Sequence, residues 1–153
     1  MANWRKICCA VDFSESSRQA LEEAADLARR FDSRLTLIHV FEAVPVAAGE
    51  GILPPPDLIE QMTIELSRKL ESWKAEAERR ADRPVGQSVL SGDPASQIVR
   101  FAREGEFDLV VTGTHGRTGL KHLVLGSVAE KVVRQAHCPV LVARRTPELP
   151  DVD

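Results

Sequence analysis

Five short, almost continuously apolar runs constrain the fold of this sequence more than any other feature. They lie at residues 6–11, 34–41, 85–90, 107–113 and 138–143. Apolar runs of this length are typical of strands that are covered on both faces. The stretches between them carry apolar residues at helical spacing. The alternation predicts one doubly wound α/β domain, a five-stranded parallel sheet with helices on both faces.

Four helices are predicted between these strands. The first helix begins after a cap at Ser14 or Ser16. The other three cover 57–81, 95–104 and 127–136. The inner stripe of the longest helix consists of Leu58, Met62, Leu66, Leu70, Trp73 and Ala77. The last helix is predicted to turn Val128, Val132 and Val133 inward. We find no internal repeat and no domain boundary.

The connection over residues 42–56 is the one long irregular stretch between predicted elements. It holds four prolines and two glycines, which exclude a regular element across it. A connection of this length is either a functional flap or disordered, and both alternatives stay open. We expect one domain over 1–146, with a flexible loop at 42–56 and a frayed tail at 147–153.

Charge and hydropathy narrow the possible partners and location. A net charge of −3 argues against nucleic acid as the main partner. No apolar run approaches the length of a membrane span, and the first residues lack the features of a signal peptide. We therefore expect a cytoplasmic protein. Its three cysteines include neighbours in a strand, Cys8 and Cys9, which should face opposite sides of the sheet as small buried hydrophobes.

The segment GTHGRTGLKHLVLGS, residues 113–127, follows the fourth strand and is rich in glycine. Ligands of open parallel sheets bind beyond the carboxyl ends of the strands, where this segment begins. Gly113 and Gly116 allow the backbone to approach a ligand closely, and successive free N–H groups there would form an anion site. Gly126 and Ser127 open the last helix, whose first amides favour phosphate.

Positive charge lies between these two anion-binding elements, at Arg117, Lys121 and His122. The nine intervening residues suit a diphosphate or triphosphate better than a single carboxylate. The alternative is that the glycines only form a turn and that Ser127 is only an N-cap. A Walker loop and a GxGxxG motif after the first strand are both absent from the sequence.

Of three polar side chains near the strand ends, Asp12 and His115 allow two interpretations each. Asp12 could contact a nucleotide or metal, or only cap a turn or helix. His39 is interpreted as a core or rim histidine inside an apolar strand. His115 could meet phosphate or lie in a solvated loop.

The spacing Gly113-x2-Gly116-x9-Gly126-Ser127 resembles the nucleotide-binding signature of the universal stress protein family, in its ATP-binding branch. KICCAVDFSESSRQAL resembles the first strand and helix of that family, LTLIHVFE its second strand, and HLVLGSVAEKVVRQAHCPVLVAR its ending. The resemblance covers about 4–144, and within it 42–84 is similar only in layout.

The resemblance implies a Rossmann-like, adenine nucleotide alpha hydrolase-like fold that binds ATP, or ADP or AMP, with Mg²⁺ or Mn²⁺. Asp12 would lie near the ribose or triphosphate. The other implied site residues are Ala10 and Val40 at the adenine, Thr112 and Gly113 at the end of strand four, and Gly116, Arg117, Gly126, Ser127 and Val128 around the phosphates. Several ATP-binding members carry proline where Ala10 stands, but alanine still provides a small wall.

The resemblance also implies a function and an assembly. The function is an ATP-binding regulatory or signalling module in the stress response, with little or no hydrolysis. The assembly is a homodimer through the last strand, 139–143. A slow ATPase or phosphotransferase is the alternative, although the residues indicate no second substrate pocket and no dedicated base.

Overall fold

The structure, a computed structural model, describes residues 3–43, 55–115 and 125–144. Within them five strands alternate with four helices along the chain, as the sequence predicts. The strands are β1 (Lys6–Ala10), β2 (Arg34–Phe41), β3 (Val85–Ser91), β4 (Leu109–Gly113) and β5 (Val140–Ala143). The helices are α1 (Glu15–Phe31), α2 (Pro56–Ala81), α3 (Pro94–Glu104) and α4 (Ser127–Gln135).

The strands form one parallel sheet in the order β3-β2-β1-β4-β5. The chain runs outward from β1 to β3 on one side and then returns to place β4 against the other side of β1. The order therefore reverses between β1 and β4. A crevice forms at such a reversal because the connections from the two strands leave toward opposite faces.

Each face of the sheet is covered by a pair of helices. Cys9 packs on the face covered by α1 and α2, with Leu21 and Leu70. The opposite face forms a second core with α3 and α4, made by Cys8, Ile38, Ile98, Val110 and Val132. The prediction of a doubly wound sheet, and of opposite directions for the two neighbouring cysteines, is confirmed. Burial raises the pKa of both thiols above their ordinary value.

Side-chain caps determine where two of the helices begin. The Ser14 side chain accepts a hydrogen bond from the Ser17 amide at the start of α1. Asp93 does the same for the Ser96 amide at the start of α3, and Pro94 follows at the first helical position. Each cap satisfies an amide that has no partner within its helix.

Several predicted boundaries and one inward stripe differ from the structure. α2 begins at Pro56, which the sequence analysis places in the loop over 42–56. Residues 44–54 of that loop lie outside the described residues. Leu58 and Val133, both predicted to be buried, are 45% and 47% exposed. Val133 follows the fully buried Val132, and neighbouring residues on a helix cannot share one narrow face. The buried residues of α2 all lie in its second half, from Leu70 onward.

No helix in the described ranges is long and apolar enough to cross a membrane. The predicted tail, 147–153, lies outside those ranges.

Candidate functional site

A cavity of about 590 Å³ opens beyond the carboxyl ends of β1, β2 and β4. This volume is typical of a small-molecule site. Eight of the residues that the sequence analysis assigned to the site line it: Ala10, Asp12, Val40, Thr112, Gly113, Gly126, Ser127 and Val128. Gly116 and Arg117, the other two, lie outside the described residues. The structure thus brings together side chains that lie far apart in the sequence.

One part of the cavity wall is apolar. Val40 of β2 and Ile98 of α3 contribute aliphatic side chains, and Ala10 leaves space at the end of β1. Met62 and Leu66 of α2 also line the cavity, although their spacing in the sequence predicted core positions. Aliphatic walls of this kind suit the faces of a flat ring. Helical periodicity alone does not distinguish a core position from a cavity wall.

The start of α4 provides amides at another part of the cavity. Gly126 is the N-cap residue and makes no side-chain capping bond, unlike Ser14 and Asp93 in α1 and α3. Ser127 is the first helical residue, so the alternative that it is only an N-cap is wrong. The first hydrogen bond within the helix runs from the Glu130 amide to the Gly126 carbonyl. The amides of residues 127–129 therefore have no acceptor within the helix. Such amides, at the positive end of the helix dipole, attract anions.

Thr114 connects the end of β4 to two helices. Its carbonyl accepts a hydrogen bond from the Gly126 amide over 2.7 Å, so that amide already has a partner. Its hydroxyl oxygen lies 3.3 Å from Ser16 Oγ of α1 and 3.0 Å from His115 Nδ1. The His115 amide also donates to Ser16 Oγ. Sequence reasoning missed Thr114 and Ser16, because nothing in the local pattern brings residues 98 positions apart into contact.

The His115 imidazole is held in this cluster with one nitrogen unsatisfied. Its Nε2 is buried and has no hydrogen-bond partner within the described part of the chain. Leaving a buried polar atom without a partner costs about 1–3 kcal/mol. His115 also lines the cavity.

Asp12 lies in a tight turn between β1 and α1. Its Oδ1 accepts a hydrogen bond from the Ser14 amide over 3.0 Å, and its own amide donates to Ser17 Oγ over 3.2 Å. The cap of α1 is Ser14, so Asp12 does not cap the helix itself. Asp12 therefore bonds within this turn, and its half-buried side chain also lines the cavity, so contact with a nucleotide or metal stays a prediction.

Gly113 is needed for packing against α1. A Cβ placed on it would lie 2.3 Å from Ser16 Oγ and 2.7 Å from the Ser16 carbonyl carbon. Only glycine therefore allows α1 to lie this close to the end of β4. The backbone of Gly113 still borders the cavity beside the buried Thr112.

No group of three or more His, Cys, Asp or Glu side chains that could hold a metal ion occurs among the described residues. The carboxylate of Asp12 is the one that the sequence analysis assigned to this rim. Mg²⁺ commonly needs only one or two protein carboxylates when a bound ligand supplies phosphate oxygens. The site therefore fits a cation that enters with a phosphorylated ligand better than one held by protein alone.

The parallel sheet, with a cavity where its strand order reverses, defines a Rossmann-like α/β domain. The sequence model of the universal stress protein family matches residues 3–144. This chain belongs to that family. Universal stress protein MJ0531 of Methanocaldococcus jannaschii is 37% identical to it over 145 residues, which cover 93% of this chain and 83% of the relative.

Solved structures agree with this assignment. The structure of MJ0577, also from M. jannaschii, has a TM-score of 0.78 and 30% identity, and the match covers 95% of this chain and 99% of that one. A universal stress protein from Archaeoglobus fulgidus in complex with dAMP has a TM-score of 0.65 and 22% identity, covering 94% and 100%. At that identity the likeness shows the fold alone.

Proposed function

We propose that this chain binds an adenine nucleotide, ATP first among them, in the cavity at the carboxyl ends of its strands. The observation that supports this most strongly is the start of α4, where uncapped amides line a cavity of ligand size. An anion at such a helix start accepts hydrogen bonds from the backbone and lies in a favourable dipole.

The apolar wall would receive the base. Val40 and Ile98 would pack against its faces, and Ala10 would leave room for it beside β1. Thr112 and Gly113 would border the nucleotide at the end of β4. Aliphatic contacts to a flat base stabilise the complex in proportion to the apolar area that they remove from water. ADP and AMP carry the same base and remain alternative ligands.

The phosphates would lie at the start of α4, where the amides of Ser127 and Val128 would donate to their oxygens. His115 Nε2 would gain the partner that it lacks among the described residues. Contacts from Gly116 and Arg117 stay predictions. A divalent cation, Mg²⁺ or Mn²⁺, would be held by phosphate oxygens together with the Asp12 carboxylate.

We further propose that the chain acts as a regulatory or signalling module with little or no hydrolysis. Fast phosphoryl transfer needs a positioned nucleophile as well as positive charge on the transferred group, and the sequence indicates no dedicated base and no second substrate pocket. A slow ATPase or phosphotransferase is the alternative. Steady-state phosphate release well above background would favour that enzyme, whereas retention of ATP without turnover supports the module. The cytoplasmic location stays a prediction.

A comparison of two substitutions at Ser127 tests the binding site. Ser127→Ala removes only the hydroxyl, whereas Ser127→Pro also removes the amide hydrogen. Proline is well tolerated at the first helical position, and Gly126 before it has the extended backbone, with φ −58 and ψ 156, that a following proline requires.

Ser127→Pro should weaken ATP binding about tenfold or more, because a hydrogen bond to a charged group contributes about 1.5–3 kcal/mol. Ser127→Ala should have a smaller effect, and adenosine, which has no phosphate, should bind all three proteins alike. Isothermal calorimetry measures the affinities, and thermal unfolding checks the fold. Unchanged ATP affinity in the proline variant would show that the amide does not contact the ligand.

A homodimer through residues 139–143 is the proposed assembly. β5 lies at the edge of the sheet, and Val140, Leu141 and Val142 are only half-buried in the single chain. An unpaired edge strand offers its backbone to another copy. Sedimentation at micromolar concentration should therefore detect a dimer, and a single 16.9 kDa species would contradict it.

A further inference from the structure

The turn that carries Asp12 is tied to the neighbouring strand by a buried histidine. β2 continues past the end of β1 and stays paired with β3. The two strands part at Val11, whose amide still donates to the Ile38 carbonyl over 2.9 Å. The Val11 carbonyl accepts a hydrogen bond from His39 Nδ1 over 2.8 Å. A carbonyl can only accept, so Nδ1 carries the hydrogen. The imidazole thus joins β1 to β2 at the point where they diverge.

The residue on the other side of Asp12 contacts the same imidazole. Phe13 has a left-handed backbone, with φ 66, which is unusual for a bulky side chain. Its ring centroid lies 4.6 Å from that of His39, 5.4 Å from that of Trp73 and 4.5 Å from Lys69 Nζ. A strained backbone persists only where its surroundings hold it, and it often marks a functional site.

We propose that His39 is a positioning residue that directs the Asp12 carboxylate toward the bound nucleotide or its cation. It holds Val11 through a hydrogen bond and Phe13 through ring contact, so both neighbours of Asp12 depend on it. Two hydrogen bonds of Asp12 itself, to Ser14 and Ser17, join it to α1. This inference rests on the proposed nucleotide binding.

A double-mutant cycle between His39 and Asp12 tests the inference, with ATP affinity measured by calorimetry in the presence of Mg²⁺. His39→Leu removes the donor and should weaken binding about tenfold. His39→Asn keeps an amide nitrogen near the place of Nδ1 and should restore most of the loss. The double mutant His39→Leu with Asp12→Ala should bind ATP no more weakly than the single mutant Asp12→Ala, because His39 would act through Asp12.

The control is His137→Leu, the same change at an exposed histidine outside the cavity, which should leave the affinity unchanged. Losses that add in the double mutant would overturn the inference, since they would mean that His39 contacts the ligand directly or supports the fold generally. If His39→Leu does not fold, Phe13→Gly replaces it in the cycle. Glycine adopts a positive φ without strain, and the change removes the ring that packs on His39.

Phe13→Gly should also weaken ATP binding, and again not additively with Asp12→Ala. Additive losses in this second cycle would overturn the inference as well. A wild-type protein that binds no adenine nucleotide would overturn the proposed function and this inference together. Additive losses in a protein that does bind ATP would overturn the inference alone.

Discussion

The Gly126 amide donates a hydrogen bond to the Thr114 carbonyl over 2.7 Å, and this bond joins the end of β4 to the start of α4. It determines which amides of α4 remain for a ligand, since Gly126 already has a partner and the next residues do not yet belong to the helical ladder. It also holds the start of α4 beside the polar cluster of Ser16, Thr114 and His115. Anion contacts are therefore expected from Ser127 onward and from His115.

Replacing His115 should separate ligand binding from stability. His115→Leu removes the buried Nε2 without a described partner and also the hydrogen bond between Nδ1 and Thr114 Oγ1, so these effects offset and the free energy of unfolding without ligand should change by about 1 kcal/mol or less. ATP affinity should fall about tenfold or more, since a hydrogen bond to a charged phosphate is lost. His115→Gln, whose amide nitrogen reaches near the place of Nε2, should bind ATP more tightly than the leucine variant. Equal ATP affinity in the wild type and both variants, by calorimetry, would exclude the contact.

Gly113→Ala should destabilise the fold. The added methyl group would overlap both the side chain and the backbone of Ser16, so α1 would have to move away from β4. Overpacking of this kind costs about 1–3 kcal/mol in the free energy of unfolding. Urea unfolding measures the change.

Gly86→Ala is the matched control for that substitution. A Cβ there would lie 3.1 Å from Thr36 Oγ1, the end of a side chain rather than backbone, and Gly86 is exposed. The free energy of unfolding should change by about 0.5 kcal/mol or less in either direction. Equal destabilisation at both positions would show that the contact with α1 is not the reason for glycine at 113.

The sequence predicted the fold well because the relevant signals are local. Each apolar run marks one strand, and Cys8 and Cys9 had to face opposite sides because side chains alternate along a strand. The position of the cavity could be predicted in turn, since ligands of parallel sheets bind at the carboxyl ends of the strands.

Contacts between distant segments could not be predicted in the same way. The sequence gives no sign that Gly113 lies against Ser16, or that His39 bonds the Val11 carbonyl 28 positions away. It also placed Leu58 and Met62 in one inner stripe, although the first is exposed and the second lines the cavity. A periodic pattern predicts the direction of a side chain, and the neighbouring element decides what that side chain meets.

The cap of α3 should make stability depend on pH. The Ser96 hydroxyl and amide both donate to Asp93 Oδ2, and these hydrogen bonds lower the pKa of the Asp93 carboxyl. A carboxyl with a lower pKa in the folded state stabilises the fold above its ordinary pKa, about 3.9, and loses that contribution as the pH falls through the folded pKa. Asp93→Ala should therefore cost about 1 kcal/mol at pH 7.

The difference in the free energy of unfolding between wild type and Asp93→Ala should shrink as the pH falls below about 4, as measured by urea unfolding at each pH. Asp93→Asn keeps a capping oxygen without the titration, so its difference from Asp93→Ala should not depend on pH in the same range. If the free energy of unfolding of the wild type exceeded that of Asp93→Ala by the same amount down to pH 2, the Asp93 carboxylate would not be the origin of the effect.

The three cysteines should react in an order set by burial. Cys8 and Cys9 are fully buried and Cys138 is half-buried, and desolvation raises the pKa of all three thiols. Only the thiolate reacts with iodoacetamide, so each thiol should be slow at pH 7.5, with Cys138 the first to be labelled. Raising the pH should speed labelling of Cys138, because its pKa lies above the ordinary value. Intact mass followed by peptide mapping measures the order, and the chain unfolded in urea should take three labels. Labelling of Cys8 or Cys9 before Cys138 in the folded protein would mean that the sheet opens more readily than its two buried cores predict.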